Sequence, residues 1–154
     1  MSLLAHAKIS IRIGLEDYKS KDNRRIISSV RNFHAGVLLL LKEKLFRLSP
    51  SNSDEVLIKE KIQPKLDANG EIIFVGKGKK IVNTEQIKER FESLGIKFDW
   101  KRFQKITDLR NELEHYHNVT RRSEISDMVS DAFILVRDFV KNELVEDPRS
   151  LLGR

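Results

Sequence analysis

The stretch Asp99–His117, DWKRFQKITDLRNELEHYH, decides how the rest of the chain is read. Ile106, Leu109, Leu113 and Tyr116 recur at spacings of three and four, so they form one stripe of an amphipathic helix. Arg110 falls at the edge of that stripe. Glu114, Asn111 and His115 follow it round the helix at about 40°, 100° and 140°. One face is therefore expected to bury, while the next presents a cation, an amide, a carboxylate and an imidazole together. Such groups suit work on a phosphate. Arginine offers a fixed fork of donors that matches phosphate oxygens. Histidine exchanges protons near neutral pH. Asn111 lies four residues before His115, a spacing from which its amide can orient the ring.

Working outward, 154 residues make one domain's worth of chain, long enough to bury a core unaided. A hydrophobic content of 40% favours folding over disorder. The absence of cysteine removes disulfides, thiolate metal sites and a cysteine nucleophile, and fits a cytoplasmic location. No apolar run is long enough to span a membrane, and MSLLAHAKIS lacks a signal-peptide layout. A net charge of +6 and a pI near 9.6 favour polyanionic partners, with nucleic acid first among them.

The organisation is expected to be all-α: an up-and-down bundle of five to six helices with a small β-hairpin or loop insert. One domain is expected over residues 1–146, with a tail at 147–154. Leu4–Lys19 reads as a first helix. Asp22–Leu48 is the longest periodic segment, with Ile26, Val30, Phe33, Val37, Leu41, Leu45 and Leu48 in register and Asp22 as its N-cap. It should be the central helix, with His34 packed inside it and Ala35 and Gly36 allowing close approach. Ser51–Ile62 reads as a short helix, because Asn52 and Glu55 have capping-box spacing and Pro64 follows. Asp67-Ala68-Asn69-Gly70 is turn chemistry, and Glu71–Val75 is strand-like. A hairpin or loop is expected there, with Lys77, Lys79 and Lys80 at its tip. Asn83 and Gln86 cap a helix that Gly95 ends. Asp99 caps the helix carrying the polar cluster. Thr120–Leu144 is the last helix, with Ile125, Met128, Ala132, Leu135, Phe139 and Val140 in register.

A long helix with the dense run AGVLLLLKEKL, an irregular insert, a helix bearing LRNELEHYH and a closing amphipathic helix come in that order. The order and the motif resemble the HEPN superfamily (higher eukaryotes and prokaryotes nucleotide-binding), over roughly Asp22–Leu144. Its motif is Arg, a polar residue, and His four to six residues after the Arg. Arg110 and Asn111 match it. Both His115 and His117 fit the spacing, so the family histidine is one of these two. The strand-like insert departs from the family layout.

The resemblance implies a metal-independent endoribonuclease of the toxin or defence type, acting on single-stranded RNA with no cofactor. Arg110 would hold the scissile phosphate, Asn111 would orient the imidazole, and His115 or His117 would move protons. Glu114, one turn from Arg110, would either fix the guanidinium or be a solvated helix residue. The family solution is a homodimer that joins two copies of the motif. Lys77, Lys79, Lys80, Lys101, Arg102, Lys105, Arg121 and Arg122 are candidate contacts to flanking phosphates. The resemblance equally allows a non-catalytic module that binds a protein antitoxin, nucleotide or RNA. A metal site is not expected: His115 and His117 would point about 200° apart on one helix, and no His-Glu-x-x-His is present. Calcium-loop and phosphate-loop readings near Asp67–Lys80 fail on missing ligand and glycine positions.

Overall fold

A computed structural model describes residues 2–20, 22, 24–116 and 122–149; of the side chains of residues 115, 116, 122 and 123 it describes nothing. Among the described residues the chain is mostly helical, with one two-stranded antiparallel hairpin. The elements are α1 (Leu3–Lys19), α2 (Arg25–Leu48), β1 (Lys59–Leu66), β2 (Ile72–Ile81), α3 (Thr84–Leu94), α4 (Trp100–Tyr116) and α5 (Arg122–Asn142). Within the span read as one domain, two compact units are distinguished. One comprises Met1–Leu40 with Phe98–Arg154, and the other Leu41–Lys97.

The first unit is built of helices. The expected α2 positions Val30, Phe33 and Val37 are buried, as are α5 positions Ile125, Met128, Ala132, Leu135, Phe139 and Val140. Gly36 explains how closely α1 and α2 approach: a Cβ there would lie 2.7 Å from Cγ1 of Ile11. Asp17 of α1 is 5% exposed, yet its carboxylate is satisfied. It accepts from Arg25 Nε at 2.7 Å and from the Ser28 hydroxyl, so α1 is tied to the first turns of α2. Asp22 stands just ahead of α2, which begins at Arg25, and its Oδ1 accepts from the Arg24 N–H at 2.9 Å, as a side chain at a helix start does. Asp99 does cap α4, accepting from the Arg102 N–H at 3.0 Å. Phe103, Ile106 and Leu113 form the buried stripe of α4, and Leu109 is half-buried.

The second unit corrects the reading of Ser51–Ile62. That segment is not a helix. Asn52, Asp54 and Glu55 have φ of 63°, 52° and 56°, which is left-handed backbone that no right-handed helix contains. Tertiary bonds hold this conformation in place of the local capping box. Ser53 O accepts from the Gly76 N–H at 2.7 Å, and the Ser49 hydroxyl accepts from the Leu57 N–H at 3.0 Å. Arg90 Nη1 donates to the carbonyls of Leu57 and Lys59, each at 2.7 Å.

The rest of the supposed helix is β1, so the hairpin is longer than expected and its turn lies at Asp67–Gly70. Lys77, Lys79 and Lys80 therefore sit along β2 rather than at a tip, with Lys77 opposite Lys61. Pro64 lies inside β1. The Asp67 N–H donates to Glu71 O at 2.9 Å, which makes that pair hydrogen-bonded. Alternation then makes Leu66/Ile72, Pro64/Phe74 and Ile62/Gly76 the pairs whose main-chain groups point outward. The missing N–H of Pro64 thus costs no ladder bond.

α3 follows its sequence signals. Asn83 and Gln86 form the capping box, Ile87 and Phe91 are buried, and Gly95 ends the helix. Leu94 and Leu48 end their stripes exposed, at 46% and 44%.

Gly76 permits the packing of the 51–58 turns on β2. A Cβ there would lie 2.4 Å from Asp54 O and 2.5 Å from Cγ of Lys59. Gly76→Ala is expected to cost about 2 kcal/mol, because the backbone oxygen cannot rotate away. Urea unfolding checks it; an unchanged midpoint would show that the turn yields freely.

Candidate functional site

Of the polar cluster expected on α4, Arg110 and Asn111 are in contact, and further partners come from α2. Arg110 is half-buried. Its Nη1 donates to Nδ1 of His34 at 3.1 Å, and its Nη2 and Nε donate to Oδ1 of Asn111 at 2.9 and 3.3 Å. Because the guanidinium has no acceptor, Nδ1 of His34 must be the bare ring nitrogen. Nε2 then carries the proton and donates to Oγ1 of Thr107 at 3.1 Å. Thr107 in turn donates to the Phe103 carbonyl at 3.2 Å. The imidazole also stacks on Phe103, with centroids 4.9 Å apart and planes 17° from parallel.

His34 is 4% exposed, and its pKa is pushed down to about 4. Burial is the main cause and the Arg110 charge adds to it, while Glu114 opposes both. The ring is therefore neutral at physiological pH, which is the state that accepts a bond from Arg110. Glu114 is not a solvated residue. It is half-buried and forms an ion pair with Arg31 of α2. Among the described residues Arg110 has no carboxylate within ion-pair distance. Its charge is aligned by two neutral groups, and two of its five N–H groups have no partner among the described residues.

The expected residues are placed unevenly. Arg110 and Asn111 are together, but the Asn111 oxygen faces the guanidinium. The His115 side chain, His117, Arg121 and the Arg122 side chain lie outside the described residues. Arg102 is engaged by Asp131 at 3.1 Å and Asp99 at 3.8 Å, so it is committed to joining α4 and α5. Lys101 and Lys105 are exposed on α4. Lys105 borders an open groove whose polar rim is otherwise Glu124, Asp127 and Asp131, a lining that repels phosphate. Lys77, Lys79 and Lys80 belong to the other unit. His34 and Arg31 were missed as members of the cluster. Their one sequence signal is a shared α2 face at a spacing of three; nothing local ties that face to α4. Among the described residues no helix is long and apolar enough to cross a membrane, and no group of His, Asp and Glu is placed to hold a metal ion.

The buried imidazole generates a pH dependence. Unfolded, His34 titrates near 6.5, and folded near 4, so between these values the unfolded chain holds the extra proton. Stability is therefore full above pH 6.5 and falls as pH drops toward 4, by about 3 kcal/mol from this group. Urea melts of wild type and His34→Gln across that range are expected to show a shallower slope for the variant. Equal slopes would mean that His34 is not buried neutral. Comparison of the chain with protein-family models, with characterised proteins and with solved structures finds no match to any of them.

Proposed function

We propose that the protein is a metal-independent endoribonuclease of the HEPN type, acting on single-stranded RNA as a homodimer in the manner of toxin and defence RNases. The observation that carries this reading is Arg110: a half-buried guanidinium, aligned by His34 and Asn111 and lacking a carboxylate partner among the described residues. Such a group is an anion receptor. A phosphodiester oxygen can take its two remaining N–H groups, and the charge that builds on the phosphorus oxygens in the transition state strengthens the contact.

RNA supplies its own nucleophile. The 2′-oxygen attacks the adjacent phosphorus, its proton leaves to a base, and the 5′-oxygen departs with a proton from an acid, leaving a 2′,3′-cyclic phosphate. His34 cannot perform either transfer. Both its nitrogens are engaged, and a pKa of about 4 makes it a weak base and leaves no imidazolium to act as an acid at neutral pH. The proton work falls to His115 or His117, and a two-fold dimer would bring the second imidazole. His34 is then a positioning residue for Arg110. Lys101 is exposed on α4 and remains a candidate contact to a phosphate further along the strand.

The same scaffold would serve the alternative reading, a non-catalytic module that binds an antitoxin, nucleotide or RNA. One assay separates them. Single-stranded RNA is incubated with the protein in EDTA, and wild type is compared with Arg110→Ala, His115→Ala and His117→Ala. Arg110→Ala is expected to lose about a hundredfold or more in rate, and one of the two histidine variants a comparable factor. Undiminished cleavage by Arg110→Ala would remove the site, and RNA binding without cleavage by wild type would favour the non-catalytic module.

A further inference from the structure

The α2–α4 junction has a second rung beside the bond from Arg110 to His34. Glu114, one turn after Arg110 on α4, meets Arg31, one turn before His34 on α2. All four residues belong to the same compact unit. The rungs are three residues apart on α2 and four apart on α4, a rise of about 4.5 to 6 Å. His34 feels both α4 charges, Arg110 lowering its pKa and Glu114 raising it, so the Glu114 carboxylate and the Arg110 guanidinium act on one patch.

The two rungs differ in their access to water. His34 is 4% exposed, whereas the Arg31 side chain is 60% exposed and that of Glu114 28%. Of the five N–H groups of Arg31, only Nε is engaged among the described residues, by Glu114. A single contact from a mostly exposed arginine holds its carboxylate weakly. It also leaves unused the Nη1–Nη2 edge, a fork that matches two phosphate oxygens. Beside Arg110 there is thus a second guanidinium with donors to spare, and the anion against it is a loosely held one from the chain itself. We infer that Arg31 is a second phosphate contact of the site, with Glu114 its occupant when no substrate is bound. The ligand class is then a strand with at least two consecutive phosphates, one on Arg110 and its neighbour on Arg31, laid along the α2–α4 junction. This deepens the ribonuclease reading and rests on it for the phosphate at Arg110.

The test uses short 2′-O-methylated oligonucleotides, whose blocked 2′-oxygen lets binding be read without cleavage, by NMR titration of the full chain. The dinucleotide carries one phosphodiester and the trinucleotide two. Each variant is checked for folding by circular dichroism. Arg110→Ala is expected to weaken both probes. Arg31→Ala should weaken the trinucleotide about tenfold, lower its slope of log affinity against log salt by about 0.7, and leave the dinucleotide nearly unchanged. Arg31→Lys should recover only part of the loss, because it keeps the charge without the fork. Glu114→Gln should bind the trinucleotide about threefold more tightly, and that gain should vanish in the Arg31→Ala background. Two results overturn the inference alone: an Arg31→Ala variant that loses neither probe or both alike, or a Glu114→Gln gain that persists without Arg31 and is therefore plain repulsion. Probes indifferent to Arg110→Ala would remove the ribonuclease site and this inference with it. The expected probe binding, with no cleavage of ordinary RNA in EDTA, would support the two-phosphate site and remove only the ribonuclease reading.

Discussion

The bond from Arg110 to Nδ1 of His34 joins two helices through groups 76 residues apart in the chain. It works only if the imidazole is neutral. Burial and the neighbouring charge together keep the proton off Nδ1, and Thr107 on the other nitrogen fixes the tautomer. A cation is thus held partly out of water by neutral acceptors, with Glu114 drawn instead to Arg31. An arginine satisfied by a carboxylate would be a structural tie. One aligned by an imidazole and an amide keeps its charge available, and that difference is what makes the α2–α4 junction a candidate anion site rather than a packing detail.

The two units show opposite balances between local and distant forces. In the first, helical periodicity, caps and buried stripes agree, and the buried Asp17 is satisfied by residues at the start of the next helix. In the second, local signals are overruled. Asn52 and Glu55 have the right types and spacing for a helix start, yet both sit in left-handed backbone. Arg90 and the Gly76 N–H take up carbonyls that a helix would have used internally. The energy of satisfying those carbonyls through tertiary bonds outweighs a capping preference of about 1 kcal/mol.

The hairpin also shows why composition alone misplaces a surface. Its lysines read from the sequence as an RNA-contacting tip. The register instead spreads them along both strands, puts those of the ladder on one face and leaves the apolar residues exposed on the other. Sequence supplied the charge; the pairing decided which side of the sheet carries it.

By itself the sequence determined the helices α1 to α5 to within a few residues, the caps at Asn83 and Asp99, the turn at Asp67–Gly70, and Arg110 beside Asn111 on the helix that matters. These are local properties, set by spacings of three and four, by side-chain hydrogen bonds within one turn, and by backbone preferences of single residues. Only the tertiary structure decided that Arg110 meets His34, that Glu114 meets Arg31, that 51–58 is a set of turns, and that the hairpin turns Phe74 outward. Each depends on groups distant along the chain or on a strand register. Such a register shifts every side chain to the other face when it slips by one residue, and no single stretch of sequence fixes it.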